Sequence, residues 1–198
     1  MDDVFRDCLF IIEDALTSIA VYKGMKKIYD VKNSGGLLDM DAYNWGKSVF
    51  IINLNNSAQN AIIRVSNLLG QDGEDFHWKK IFSEFSSFKN NCILCEFRSE
   101  NDWKTYHTEL ISFRNDLVVH RKFDRVTIMP FFDVSLKMLI NIYQFIASHF
   151  STEISEENYI INSFVDLKLV YESIYSATID FYQNIDLNIN NRVPEIER

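Results

Sequence analysis

The chain has 198 residues, 47% of them hydrophobic, with 16 Phe, 9 Tyr and 3 Trp, enough for one sizeable buried core and too few for two comfortable domains. Only 6 Gly and 2 Pro are present; that scarcity argues against a turn-rich β architecture and predicts an all-α fold. The net charge of −8 excludes broad non-specific nucleic-acid binding, which needs a basic surface, while leaving room for a local basic pocket.

Apolar residues at three- and four-residue steps (Val4, Cys8, Ile11, Ile12, Ala15, Ile19, Tyr22) predict a first helix over about 3–29. Asn33-Ser34-Gly35-Gly36 reads as a loop. A second helix follows over about 41–69, capped by Asp41 and closed by Gly70, placed where a helix end favours φ > 0. Its stripe is read as Trp45, Val49, Ile52, Ile62, Val65 and Leu69. A short third helix is expected over His77–Phe88, with Trp78, Ile81, Phe82, Phe85 and Phe88 on one face, read as core rather than as a base-stacking platform. Residues 89–98 fit a loop or a continuation.

A fourth helix starts near Ser99, where Ser99 and Asp102 suit a capping box, and ends between Arg121 and Asp124. Trp103, Tyr106, Leu110, Phe113 and Leu117 line it. Pro130 opens a fifth helix that runs to about His149 and buries Phe131, Val134, Met138, Ile142, Tyr143 and Ile146. A sixth helix over about 155–184 buries Ile161, Phe164, Leu167, Tyr171, Ile174 and Phe181, and the polar tail 186–198 is expected to fray. No repeat, low-complexity segment or domain boundary interrupts this order, so the sequence reads as one helical domain over 1–198.

Met1-Asp2-Asp3 lacks the positive region of a signal peptide, and no apolar run reaches the roughly 18 residues of a membrane span. A cytoplasmic protein with no membrane partner is the expectation. The three cysteines, Cys8, Cys92 and Cys95, include a single Cys-x-x-Cys, too few ligands for a structural zinc site. They are read as buried thiols, and no metal or cofactor is expected.

The chemistry concentrates in Arg114-Asn115-Asp116-Leu117-Val118-Val119-His120, late in the fourth helix. An arginine grips a phosphate in bidentate fashion, and a histidine moves a proton near neutral pH. Together they supply what phosphodiester cleavage needs without a metal. His120-Arg121-Lys122 and Arg125 add the densest cationic cluster. Arg121 and Lys122 fit either substrate contacts or a solvated helix end. Asp116 and Asp124, four residues either side of His120, would also suit an ordinary ion network, and Arg114 could pair with a surface carboxylate. Arg64 could reach the cleft or form a buried ion pair, the pair being the favoured reading, and His77, His107 and His149 are read as structural.

The Arg-polar-x4-His pattern late in a helix resembles the HEPN superfamily of small all-α proteins, most closely its abortive-infection (AbiU-type) branch. Ala61-Ile62-Ile63-Arg64-Val65-Ser66-Asn67-Leu68-Leu69 and His120-Arg121-Lys122-Phe123-Asp124 sit where that branch carries its preceding long helix and its motif end. The resemblance spans roughly 5–150. It implies a bundle of about five to six helices, a homodimer in which two motif helices share one cleft, and a metal-independent endoribonuclease acting as a toxin or phage-defence effector. An antitoxin protein is a possible partner. Arg114, Asn115 and His120 would be catalytic, with Arg121 and Lys122 binding RNA. Other members are silent interaction or dimerisation modules, the alternative reading. A HEPN subset carries a tyrosine two residues after the histidine; here that position is Lys122.

One geometric point bears on the dimer. Six residues turn an ideal helix by about 600° and rise about 9 Å, leaving Arg114 and His120 about 120° apart. They would converge poorly within one protomer; a cleft completed by a second copy, or a helix that ends before His120, relieves the difficulty, and a dimer is the expectation.

Overall fold

A computed structural model describes residues 3–34, 45–115, 132–156 and 164–183, and every regular element among them is helical. In chain order these are α1 (Asp3–Ser34), α2 (Trp45–Leu69), α3 (Trp78–Ile81), α4 (Glu100–Arg114), α5 (Phe132–Glu156) and α6 (Phe164–Gln183). A π-helical turn at Lys89–Ile93 and a 3-10 turn at Leu94–Glu96 lie between α3 and α4. The expected all-α bundle is therefore what the chain forms.

α1 is the spine. Cys8, Leu9, Ile12, Leu16, Ile19, Met25 and Ile28 are buried along it, with Ile11, Ala15 and Ala20 widening the arc. A buried arc that broad needs partners on several sides, and α1 packs against α2, α5 and α6. Gly24 permits the approach of α6: a Cβ there would lie 3.0 Å from the Thr178 side chain. Val4, expected inside, is exposed.

On α2 the buried stripe is offset from the expected one. Val49 and Ile52 are 52% and 55% exposed, and the core takes Phe50, Leu54, Ala58, Ala61, Ile62, Val65, Leu68 and Leu69. Phe50 packs edge-on against Tyr182 of α6 at 5.2 Å, and a large ring gains more from burial than a valine. Asn60 ties α2 to α1 by donating to Ser18 Oγ at 2.9 Å and Asp14 Oδ1 at 3.3 Å. Arg64 pairs with Asp14, but the pair is not the buried one expected: both side chains remain partly exposed, and Arg64 Nε makes no directed hydrogen bond.

The third helix is shorter than expected. His77 caps it by accepting the Lys79 N–H on Nδ1, but α-helix ends after one turn. The aromatic residues that follow pack on α5 from an irregular segment. Phe82 and Phe88 stack at 4.0 Å, and Phe145 meets Phe82, Phe85 and Phe88 edge-on. Tertiary packing of these rings outweighs the local helical periodicity.

Ser99 caps α4 as expected, accepting the Asp102 N–H at 3.2 Å. Trp103, Tyr106 and Leu110 are buried, and Tyr106 Oη lies 2.9 Å from Ser135 Oγ, joining α4 to α5 inside the core. α5 buries Met138, Leu139, Ile142, Tyr143 and Ile146 and continues past His149 to Glu156. On α6, Leu167 and Thr178 are buried, whereas Phe181 is 63% exposed because its neighbour Tyr182 takes the inward position against Phe50. No helix among the described residues is long and apolar enough to cross a membrane.

Candidate functional site

The site begins where α2 ends. Segment 70–77 turns back toward α3, folded on itself by the Glu74 N–H to Gln71 carbonyl and His77 N–H to Glu74 carbonyl hydrogen bonds at 3.0 and 3.3 Å. α4 packs along α2 and lies against this segment. His107 Nε2 sits 2.7 Å from the Gly70 carbonyl, which requires the proton on Nε2. Arg114, seven residues further, reaches the same segment, because two helical turns return a side chain to the same face. Gly70 itself does not adopt a left-handed φ; its requirement is spatial, since a Cβ would lie 2.3 Å from the Ser66 carbonyl oxygen.

Arg114 closes the arrangement. Its Nη1 donates to Glu74 Oε1 at 2.7 Å, and its Nη2 donates to Gln71 Oε1 at 3.2 Å and to Asn115 Oδ1 at 3.5 Å. Its side chain is 20% exposed and that of Glu74 34% exposed. The guanidinium is thus anchored but not sealed from solvent. A carboxylate and a phosphate oxygen accept the same donors in the same geometry, so the group now holding Arg114 is the type of acceptor that a phosphate would replace.

Asn115 keeps helical backbone angles, and its N–H bonds to the Ile111 and Ser112 carbonyls. The structure therefore brings Arg114 and Asn115 side by side at the C-terminal turn of α4. His120, Arg121 and Lys122, with Leu117, Val118 and the frayed tail expected at 186–198, lie outside the described residues.

Along the N-terminal half of α4 a cavity of about 430 Å³ is lined by Lys79, Lys89, Lys104, Trp103 and both His77 and His107, with Asp72 and Glu100 among them. Two of its lysines are matched in place: Lys79 binds both oxygens of Asp72 at 2.8 and 2.9 Å, and Lys89 binds Glu100 at 2.7 Å. The Lys79 hydrogen bond holds the Asp72 carboxyl below its usual range. His77 is buried, and burial pushes its imidazole toward the neutral form, against the opposing pull of Asp72. His149 stacks on Phe145 at 4.0 Å and meets Phe85 edge-on. All three described histidines serve the packing of this end of the bundle.

Among the described residues no group of three or more His, Cys, Asp and Glu is arranged to hold a metal ion. Cys8 and Cys92 are buried thiols, both pushed up to about 12 by desolvation. Cys95 departs from the expected burial: the turn at Leu94–Glu96 points it outward, where Asn141 Nδ2 donates to its sulfur at 3.3 Å.

Glu74 and Gln71 stand in the polar stretch Gln71-Asp72-Gly73-Glu74-Asp75 and carry no signal of a site in the sequence. No periodicity marks them. Only the return of α4 past the end of α2 brings them to Arg114. Comparison of the chain with protein-family models, curated proteins and solved structures returned no match.

Proposed function

We propose that this chain is a metal-independent endoribonuclease of the HEPN type, a cytoplasmic toxin or phage-defence effector whose cleft forms between two copies of the Arg114–His120 segment. The observation that carries the reading is the pairing of the Arg114 guanidinium with the Asn115 amide at the C-terminal turn of α4, partly open to solvent. An arginine beside an amide is chemistry that can hold a phosphate, and it stands six residues ahead of His120 in the sequence. His120 would take the proton of the ribose 2′-hydroxyl as that oxygen attacks phosphorus, or deliver one to the departing 5′-oxygen. Arg114 would neutralise the charge on the five-coordinate phosphorus, and Asn115 would hold a phosphate oxygen or orient His120. The products are a 2′,3′-cyclic phosphate and a 5′-hydroxyl, so the substrate is RNA. Arg121 and Lys122 would bind the flanking phosphates, and an antitoxin protein would cover the cleft.

One observation favours a second reading, a catalytically silent dimerisation module. Arg114 is already satisfied by Glu74 and Gln71, so the arginine also has a complete structural role. Incubation of total RNA in EDTA with the wild type, Arg114→Ala and His120→Ala separates the two. Cleavage by the wild type alone, with cyclic-phosphate ends, supports the nuclease; identical behaviour of all three proteins supports the silent module.

A further inference from the structure

A second surface, away from Arg114, concentrates positive charge in this acidic chain. Lys23, Lys26 and Lys27 fall at i, i+3 and i+4 on α1 and therefore share one face. Opposite them, Tyr171 and Tyr175 are spaced by four on α6 and hold their rings parallel, 9° apart, with centroids 6.3 Å from one another. The two ladders are in step. Lys23 and Tyr171 line the same groove, and Lys27 Nζ stands 5.9 Å from the Tyr175 ring centroid. Between them runs a groove of about 530 Å³, the size of a ligand site rather than a packing fault.

The charge balance of the groove is unlike that of the chain. The sequence has 28 acidic against 20 basic residues, yet among the described residues Asp30 is the single carboxylate in the groove lining, beside three lysines. Lys26 is paired with Asp30 and Lys23 with Asp133 at the groove edge. Asp30 and Asp133 are largely solvent-exposed, and exposed ion pairs are weak enough to exchange for phosphate. A cationic track beside aromatic faces is the chemistry that holds single-stranded nucleic acid: lysines follow the backbone and rings take the bases. Double-stranded nucleic acid, its bases already stacked, has no use for the tyrosines.

We propose that the groove between Lys23, Lys26 and Lys27 of α1 and Tyr171 and Tyr175 of α6 is a docking site for single-stranded RNA. The groove shares no lining residue with the Arg114 contacts at the end of α4. Its biological meaning rests on the nuclease reading; the binding itself needs no cleavage.

The test uses the full chain and a short fluorescent 2′-O-methyl RNA, whose blocked 2′-oxygen prevents cleavage, with binding followed by anisotropy in EDTA over a salt series. Lys26→Glu/Lys27→Glu should weaken binding about tenfold or more at low salt and lower the logarithmic salt slope by about 1.4, roughly 0.7 for each lysine. Tyr175→Leu, which keeps an apolar side chain, should weaken it about fivefold or more through lost stacking. A duplex of the same sequence should bind more weakly than the single strand. Wild-type affinity in both variants overturns the proposal. So does a loss confined to the lysine variant and matched by heparin competition, which would leave charge alone. Loss of self-association in the variants with RNA affinity unchanged assigns the groove to a second copy and overturns it too. The nuclease reading fails separately: a wild type that binds through the groove but cuts no unmodified RNA sinks cleavage and leaves docking intact. Groove variants that cut with unchanged KM do the reverse.

Discussion

Glu74 and Arg114, forty residues apart in sequence, meet at 2.7 Å at the close of α4, and the carboxylate occupies the donor face that a phosphodiester would need. On the proposed nuclease reading, binding of RNA and retention of this ion pair would be competing states of one guanidinium.

Glu74→Gln should separate them. The neutral amide still accepts a hydrogen bond from Arg114 but surrenders the charge, so thermal stability should fall by no more than about 1 kcal/mol, as for partly exposed pairs. RNA cleavage, read as cyclic-phosphate ends, should rise. Arg114→Ala removes the donor, loosens segment 70–77 and should abolish cleavage. A Glu74→Gln protein that cuts less than the wild type would mean that the carboxylate aids catalysis rather than restrains the arginine.

The acid sensitivity of the fold should trace to His77. Burial lowers its pKa below the ordinary value of 6.5, so the unfolded chain takes up the proton before the folded one does. Its contribution is complete above pH 6.5 and is lost as pH falls through the lower, folded value. Asp72, lowered by Lys79, acts in the same direction only in the more acid carboxylate range. Urea midpoints should thus drop between pH 7.5 and 5.5. His77→Asn, which keeps an acceptor for the Lys79 N–H, should flatten that drop; an unchanged slope would place the sensitivity elsewhere.

Two neighbours at the end of α2 should respond with opposite signs. Gly70→Ala drives a methyl into the Ser66 carbonyl and should destabilise by about 2 kcal/mol or more. Ser66 is buried and its Oγ finds no hydrogen-bond partner among the described residues. Ser66→Ala removes an unsatisfied hydroxyl and should be neutral or stabilising by up to about 1 kcal/mol. Denaturant melts of the two variants check both. A strongly destabilised Ser66→Ala would reveal a partner for the hydroxyl.

Thiol titration should resolve three cysteines into two classes. Cys95, exposed, should react with an aromatic disulfide reagent in the folded protein. Cys8 and Cys92, buried and raised to about 12, should react only after unfolding. Rapid reaction of two thiols per folded chain would contradict the buried position of Cys92.

The long helices were legible because their cues are local. The spacing of Cys8, Ile12 and Ile19 marks a buried face without reference to any partner, and Ser99 announces a cap whose hydroxyl accepts the N–H of Asp102, three residues on. Where two neighbouring apolar residues compete for the inside, periodicity could not decide. Phe50 won over Val49, and Tyr182 over Phe181, because each fills space against the other across α2 and α6. The His77–Phe88 segment has helical spacing yet follows the surface of Phe145 instead. At the site, the arginine was visible as a residue type in a pattern. Its partners Glu74 and Gln71 were not, since they are defined by how α4 returns past α2.

The spine position of α1 has a consequence for biosynthesis. α1 leaves the ribosome well before α6, with which it shares a face closed by Gly24 and Thr178. At 5–20 residues per second, the roughly 130 residues between them take about six to twenty-six seconds to emerge. Throughout that interval Tyr22 and its neighbours face α6 without their cover. Docking on α2 can begin early, but completion of the bundle waits for the C-terminal part of the chain. Truncations that remove α6 should therefore engage chaperones and aggregate rather than yield a smaller folded protein.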